Sequence, residues 1–277
     1  MKRFLTLLFA MVLSVVCLFG ATGCKGDGRP TLYVYTNAGF APYEYMNKYG
    51  EVVGVDVDIM KEVGEVLGYK VVINDIDFDQ ILVEVQNNKM AVGAAGMTRT
   101  DTRDEVALPS IDYAVSVQYV IVPTNLFTDK AEGDLITVSE LANINIKAIG
   151  VQEGTTGDFL ISDAVYGWTD EETQQHVTGD LEGAGIQPMQ YENAIIASND
   201  IGTNVGAVVI DKLPAQSICK ANPNLKCFQL DNEPENYVIY FNKEATELRD
   251  KVNAVLEVMI SNGVIDFYTL KHSGGIA

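Results

Sequence analysis

Apolar and polar positions along this chain follow two periods, and the period switches repeatedly. "TLYVYTN" (31–37) and "KVVIND" (70–75) carry the β-branched and aromatic enrichment of strands, and "MAVGAAG" (90–96) reads as a short buried one. "GVDVDIM" (54–60) alternates Val55 and Val57 with Asp56 and Asp58, which predicts a strand running into a helix near Ile59. From there Ile59, Met60, Val63, Val66 and Leu67 recur at helical spacing, and Gly68 supplies the stop. "DFDQILVEVQNN" (77–88) predicts a second helix, with Asp77 or Asp79 as its cap and Ile81, Leu82 and Val85 on one face. Strand and helix in alternation imply a mainly parallel sheet with helices on its faces.

After Tyr113 the pattern restarts. "VSVQYVIVP" (115–123) is a long β-rich run, followed by predicted strands at 146–151, 185–191 and 205–210. Helices are expected in "TTGDFLISDAV", "ENAIIASND" and "KLPAQSICKA", the last with Pro214 in its first turn. "CFQL" and "NYVIYFN" are again β, and residues 244–272 form two amphipathic helices broken at Gly263. These elements divide into two α/β lobes, residues 31–115 with 231–277 and residues 116–230, joined by extended crossings near 114–118 and 229–232. The stretch 162–180 is the least regular and reads as a surface excursion.

The N-terminus changes the picture from a fold to an exported fold. Lys2 and Arg3 precede an apolar run, Phe4 to Phe19, of secretory-signal length but short for a spanning helix. Ala21-Thr22-Gly23-Cys24 follows and resembles the lipobox of bacterial lipoproteins, with Ala21 where that consensus usually has Leu. That resemblance implies cleavage after residue 23 and a lipid on Cys24, with residues 25–30 as a tether to the membrane. The alternative is an ordinary signal peptide, which also exports the chain. With 38 Asp and Glu against 19 Lys and Arg, the surface repels nucleic acid and anionic lipid. Cys219 and Cys227 flank "KANPNLK", and in an exported chain a disulfide between them is expected, with two buried free thiols as the alternative. No metal is expected there, because neither His176 nor His272 stands at ligand spacing.

Five segments occur in one order: "FAPYEY", "GVDVDI", "AAGMTRTDTRDEVALPSIDYA", "VQEGTTGDF" and "GAVVID". Together they resemble the extracytoplasmic solute-binding proteins of polar amino-acid ABC importers, over roughly residues 31 to 271. The resemblance implies a type II, two-lobed periplasmic-binding-protein-like α/β fold with two hinge crossings. It further implies a monomer without cofactor that closes on a free amino acid and delivers it to a permease and its ATPase. In that family the GxDxD segment is structural, so Asp56 and Asp58 are not expected to hold a metal.

A zwitterion needs a cation for its carboxylate and an anion for its ammonium. Arg103 lies where the family places its carboxylate-binding arginine, with Thr98, Thr155 and Thr156 supplying hydroxyls or N–H groups. The alternatives are a surface ion pair for Arg103, Arg99 as the true ligand, and plain helix capping for the threonines. Asp211 resembles the ammonium-binding aspartate, helped by the carbonyl of Gly96, although an N-cap would explain it too. Phe40 and Phe78 resemble the rings that hold the ligand's side chain, or else belong to the core. Asn37, where basic-selective members often carry Asp, and Ala95, without a hydroxyl, favour a neutral or polar ligand such as cystine or glutamine. Gly206 stands where the family usually has Asp. A rival reading is an exported dehydratase-like enzyme on the same scaffold, with Glu44, Glu153 or Asp158 as general acid, and a third is a sensor module. No GxSxG, P-loop or HExxH arrangement is present.

Overall fold

The computed structural model describes residues 28–170 and 172–274. The predicted signal segment, Cys24 and the first residues of the tether lie outside the described residues. No helix among them is long and apolar enough to cross a membrane.

Two sheets organise the chain. The first has the order β4-β1-β5-β17-β6, from β1 (Thr31–Thr36), β4 (Lys70–Asp75), β5 (Ala91–Gly93), β6 (Leu108–Pro109) and β17 (Tyr240–Phe241). β1 runs parallel to β4 and β5, while β17 is antiparallel to β5 and β6. The second sheet comprises β8 (Gln118–Pro123), β9 (Leu135–Ile136), β10 (Ala148–Gln152), β13 (Gln187–Tyr191), β14 (Ala207–Asp211) and β15 (Leu225–Leu230). Its order is β13-β10-β14-β8-β15-β9, with β10 parallel to β13 and β14, and β8 antiparallel to both its neighbours. Between the sheets β7 (Ala114–Ser116) and β16 (Glu235–Tyr237) pair antiparallel, Ser116 opposite Glu235, so the two crossings form a short ribbon; the second lies later than the expected 229–232, because Gln229 and Leu230 still belong to β15.

The acidic segment "GVDVDIM" is the opening of a helix, α1 (Val55–Leu67), and not a strand; only Val52 and Val53 (β3) are extended before it. Val55, Asp56, Val57, Ile59 and Met60 are all buried and only Asp58 is partly exposed, so the short alternation mimics period two. Gly54 makes this possible. Its φ is 145°, and a Cβ there would stand 2.0 Å from the carbonyl oxygen of Tyr43. That close approach lets Val55 and Asp56 donate to the carbonyls of Pro42 and Tyr43. Asp58 accepts from Lys271 at 2.6 Å and lies 2.8 Å from Nε2 of His272, tying α1 to the terminal helix. Burial pulls its carboxyl upward, but the hydrogen bonds from His272 and Lys271 outweigh it and hold Asp58 below the usual carboxylate range.

The terminal helices Thr246–Ser261 and Val264–His272 break at Gly263 and pack on α1; the first also packs on β17 and β6. Within residues 162–180 the excursion contains a short hairpin, Trp168–Thr169 against His176–Val177, with Trp168 exposed. Cys219 and Cys227 are free thiols, which corrects the expected disulfide. The helix Lys212–Ala221 packs on β15, and both sulfur atoms and a Glu132 carboxylate oxygen lie within 4.8 Å of one another. The Cys227 thiol donates to that Glu132 oxygen at 3.8 Å, and the neighbouring Cys227 sulfur together with burial pushes Cys219 above the usual thiol range.

Gly206 also acquires a reason. A Cβ there would meet the side chain of Ile146 at 2.3 Å, so Ile146 fills the room an aspartate would need.

Candidate ligand-binding cleft

A narrow cavity of about 20 Å³ lies between the two sheets, and Asn37, Phe40, Phe78, Ala95, Gly96, Thr98, Arg103, Thr155, Thr156 and Asp211 all line it. Sequence reasoning named each of them; it missed Gln152 as a lining residue and considered Glu44 only as a general acid. Gln152 ends β10 one residue before GTTGD, and Glu44 follows Phe40 past Ala41–Pro42, so both lie inside segments already recognised, "VQEGTTGDF" and "FAPYEY". Of the other acid candidates, Glu153 is exposed. Asp158 is buried but spent on the backbone N–H of Gly154, Ser162 and Gln190.

Arg103 sits on a short helix, Asp101–Val106, capped by Thr100. Its guanidinium is buried, donates to the carbonyls of Thr98 at 2.7 Å and Gly154 at 3.0 Å, and stacks 5.3 Å from the Phe78 ring. Burial lowers its pKa, opposed by Tyr240, Glu235 and Asp211. Arg99 is the surface partner, paired with Asp104 at 2.8 Å. The bond to Gly154 joins the elements of the first sheet to those of the second, as does the Gln152 amide donating to Oδ1 of Asn37 at 2.9 Å.

Asp211 occupies a helix N-cap position without capping: its side chain makes no cap hydrogen bond. It accepts instead from Tyr237 at 2.5 Å and from Gln118 at 3.3 Å. Burial and the charge of Glu235 raise its pKa against those bonds. Thr155 does cap its helix, α4 (Thr156–Tyr166), accepting from Asp158 and donating its own proton to the carbonyl of Gln152. Phe40 belongs to both readings, lining the cavity while packing 5.8 Å from Tyr43 and 6.5 Å from Tyr237. Gly96, at φ 52°, lies under the Phe40 ring, where a Cβ would fall 2.6 Å from a ring carbon. Its N–H donates to Asp56 at 2.8 Å, and the Tyr113 hydroxyl points its one proton between both oxygens of that carboxylate, 2.7 and 2.8 Å away. Burial takes Asp56 up to about 6 in spite of these bonds.

Glu44 differs. It is 1 % exposed, and Oε2 is sealed from solvent with no hydrogen-bond partner. Burial first, then the charges of Asp56, Asp211 and Asp75, push it well above the usual carboxylate range.

The family model for bacterial extracellular solute-binding proteins, family 3, matches residues 32–274. The chain belongs to this family. Among its relatives, the arginine-binding extracellular protein ArtP of Bacillus subtilis (strain 168) is 25 % identical, with 96 % of each chain covered. The L-cystine-binding protein TcyA of the same organism is 23 % identical over 99 % of this chain and 98 % of its own. Among solved structures, an ancestral arginine-binding protein bound to arginine superposes with a TM-score of 0.73 at 28 % identity, over 88 % of this chain and 98 % of that one. The chain is thus an amino-acid-binding solute-binding protein with a two-lobed α/β fold, and its named relatives are arginine- and cystine-binding proteins.

Proposed function

We propose that this family 3 protein captures a free α-amino acid with a cationic side chain, arginine foremost, by hinge closure, and delivers it to a membrane ABC importer. Residues 31–115 with 231–277 and residues 116–230 act as the two lobes. The charge balance of the cavity supports the reading. Arg103 answers the ligand carboxylate, with the N–H groups at the start of α4 beside it, and Asp211 answers the ammonium. That leaves Glu44, and its orphaned carboxylate carries the choice of ligand: a buried acid without a donor is costly, and a guanidinium supplies both charge and N–H groups. Phe78 and Phe40 offer ring faces to such a cation or its aliphatic stem.

The amide pair of Asn37 and Gln152 favours a second reading, a neutral polar side chain of glutamine or cystine type. Titration calorimetry with Glu44→Gln separates the two. Loss of about 2–3 kcal/mol for L-arginine with no loss for L-glutamine supports the cationic ligand; an unchanged arginine affinity removes Glu44 from the site. The N-terminal signal, with Cys24 as lipid acceptor, supports export and anchoring at the outer face of a membrane. Turnover assays on keto-acid substrates test the dehydratase alternative.

A further inference from the structure

Glu235 was not among the expected site residues, yet it holds more of the cleft's polar groups than any of them. It begins β16, in the ribbon between the lobes. Its Oε2 accepts from the hydroxyl of Thr98 at 2.7 Å and from that of Thr156 at 2.6 Å, while Oε1 accepts from the Gln118 amide at 2.9 Å. Thr98 follows β5 in the first lobe, and Thr156 opens α4 in the second. A hydroxyl has one proton to give. Both hydroxyl protons are therefore committed to Glu235, so of the two kinds of donor expected from these threonines the backbone N–H groups are the ones left for a ligand carboxylate, beside Arg103.

We propose that Glu235 is a positioning residue that clasps the two lobes shut, closing the cleft by joining Thr98 to Thr156 through one carboxylate oxygen. Every group it uses belongs to the chain itself, so closure gains these charge-assisted bonds whether or not a ligand is bound. One oxygen reaches both hydroxyls only when the lobes are together, because its two partners lie on opposite sides of the cleft. Glu235 does not itself line the cavity; it acts by raising the closed population and by aiming the Thr98 and Thr156 backbones at the cavity. Its effect on affinity should be the same factor for every ligand the cleft accepts.

The affinity arm of this inference rests on the proposed reading of the cleft; the closure arm does not. Small-angle X-ray scattering of the protein stripped of amino acids should show a larger radius of gyration for Glu235→Ala than for the unaltered chain. Glu235→Gln should fall between, since its amide oxygen still accepts from the hydroxyls but its N–H groups oppose those of Gln118. Glu233→Ala, an exposed neighbour, should change nothing. L-Arginine should dissociate from Glu235→Ala about ten- to a hundredfold faster, the equivalent of one or two charge-assisted bonds. Scattering curves that superimpose for all these proteins would overturn the clasp. If the unaltered protein fails to bind L-arginine, the ligand reading falls while the scattering result still decides the role of Glu235.

Discussion

Glu44 and Asp56 are both buried carboxylates of the first lobe, and they could hardly be treated more differently. Asp56 accepts from Gly96 and from the single Tyr113 hydroxyl, which lies within reach of both its oxygens, so it builds the wall of the cleft by holding the Gly96 loop under Phe40. Glu44 reaches the cavity itself with one oxygen unpartnered. A satisfied buried carboxylate specifies structure, whereas an unsatisfied buried carboxyl is a cost that a ligand can remove. The two arginines repeat the contrast: Arg99 is neutralised at the surface by Asp104, and Arg103 is held open to the cavity between two carbonyls and a ring.

The largest expected effect separates those arginines. Arg103→Ala should cost about 3–5 kcal/mol of amino-acid affinity by leaving the ligand carboxylate and buried acids without their cation. Arg99→Ala should leave calorimetric affinity unchanged, and the reverse result would exchange their roles. Next comes Asp56→Ala, which strands the Gly96 N–H and the Tyr113 hydroxyl. A stability loss of about 2–4 kcal/mol is expected in urea unfolding, against little change for Glu44→Gln, which keeps the volume and has no partner to lose. Equal stability effects would erase the distinction between the two carboxylates.

The smallest effect is in protons. Glu44 is raised above its ordinary value by burial, so it holds its proton upward of the usual range until a cation arrives. Binding arginine should then release that proton, and affinity should rise with pH until the ligand-free Glu44 ionises unaided. Calorimetry in two buffers of different ionisation enthalpy reads the release directly, and Glu44→Gln should abolish it. Proton uptake would contradict the pairing.

Arg103 and Asp211 were legible because their segments recur in a known order, and the cavity gathers every residue those segments nominated. Residues 54–58 were misread because four or five alternating positions cannot distinguish a strand from a helix buried on nearly all sides. Two facts lay beyond sequence for a different reason. The disulfide depended on whether a helix–strand contact brings Cys219 to bonding distance, and Glu235 depended on which side of the cleft Thr98 and Thr156 occupy. Both are matters of distance across elements, which spacing along the chain does not encode. Glu44 was visible as an acid beside Phe40, but its lack of partners was not.

Thermal unfolding of the protein, stripped of co-purified ligand, against single amino acids tests the cationic-ligand reading most directly. At about 100 times the dissociation constant a true ligand adds roughly 2.7 kcal/mol, a shift of several degrees for a chain of this size. L-Arginine should give the largest shift, with L-glutamine and L-cystine smaller. A shift with glutamine or cystine and none with arginine would contradict the role given to Glu44.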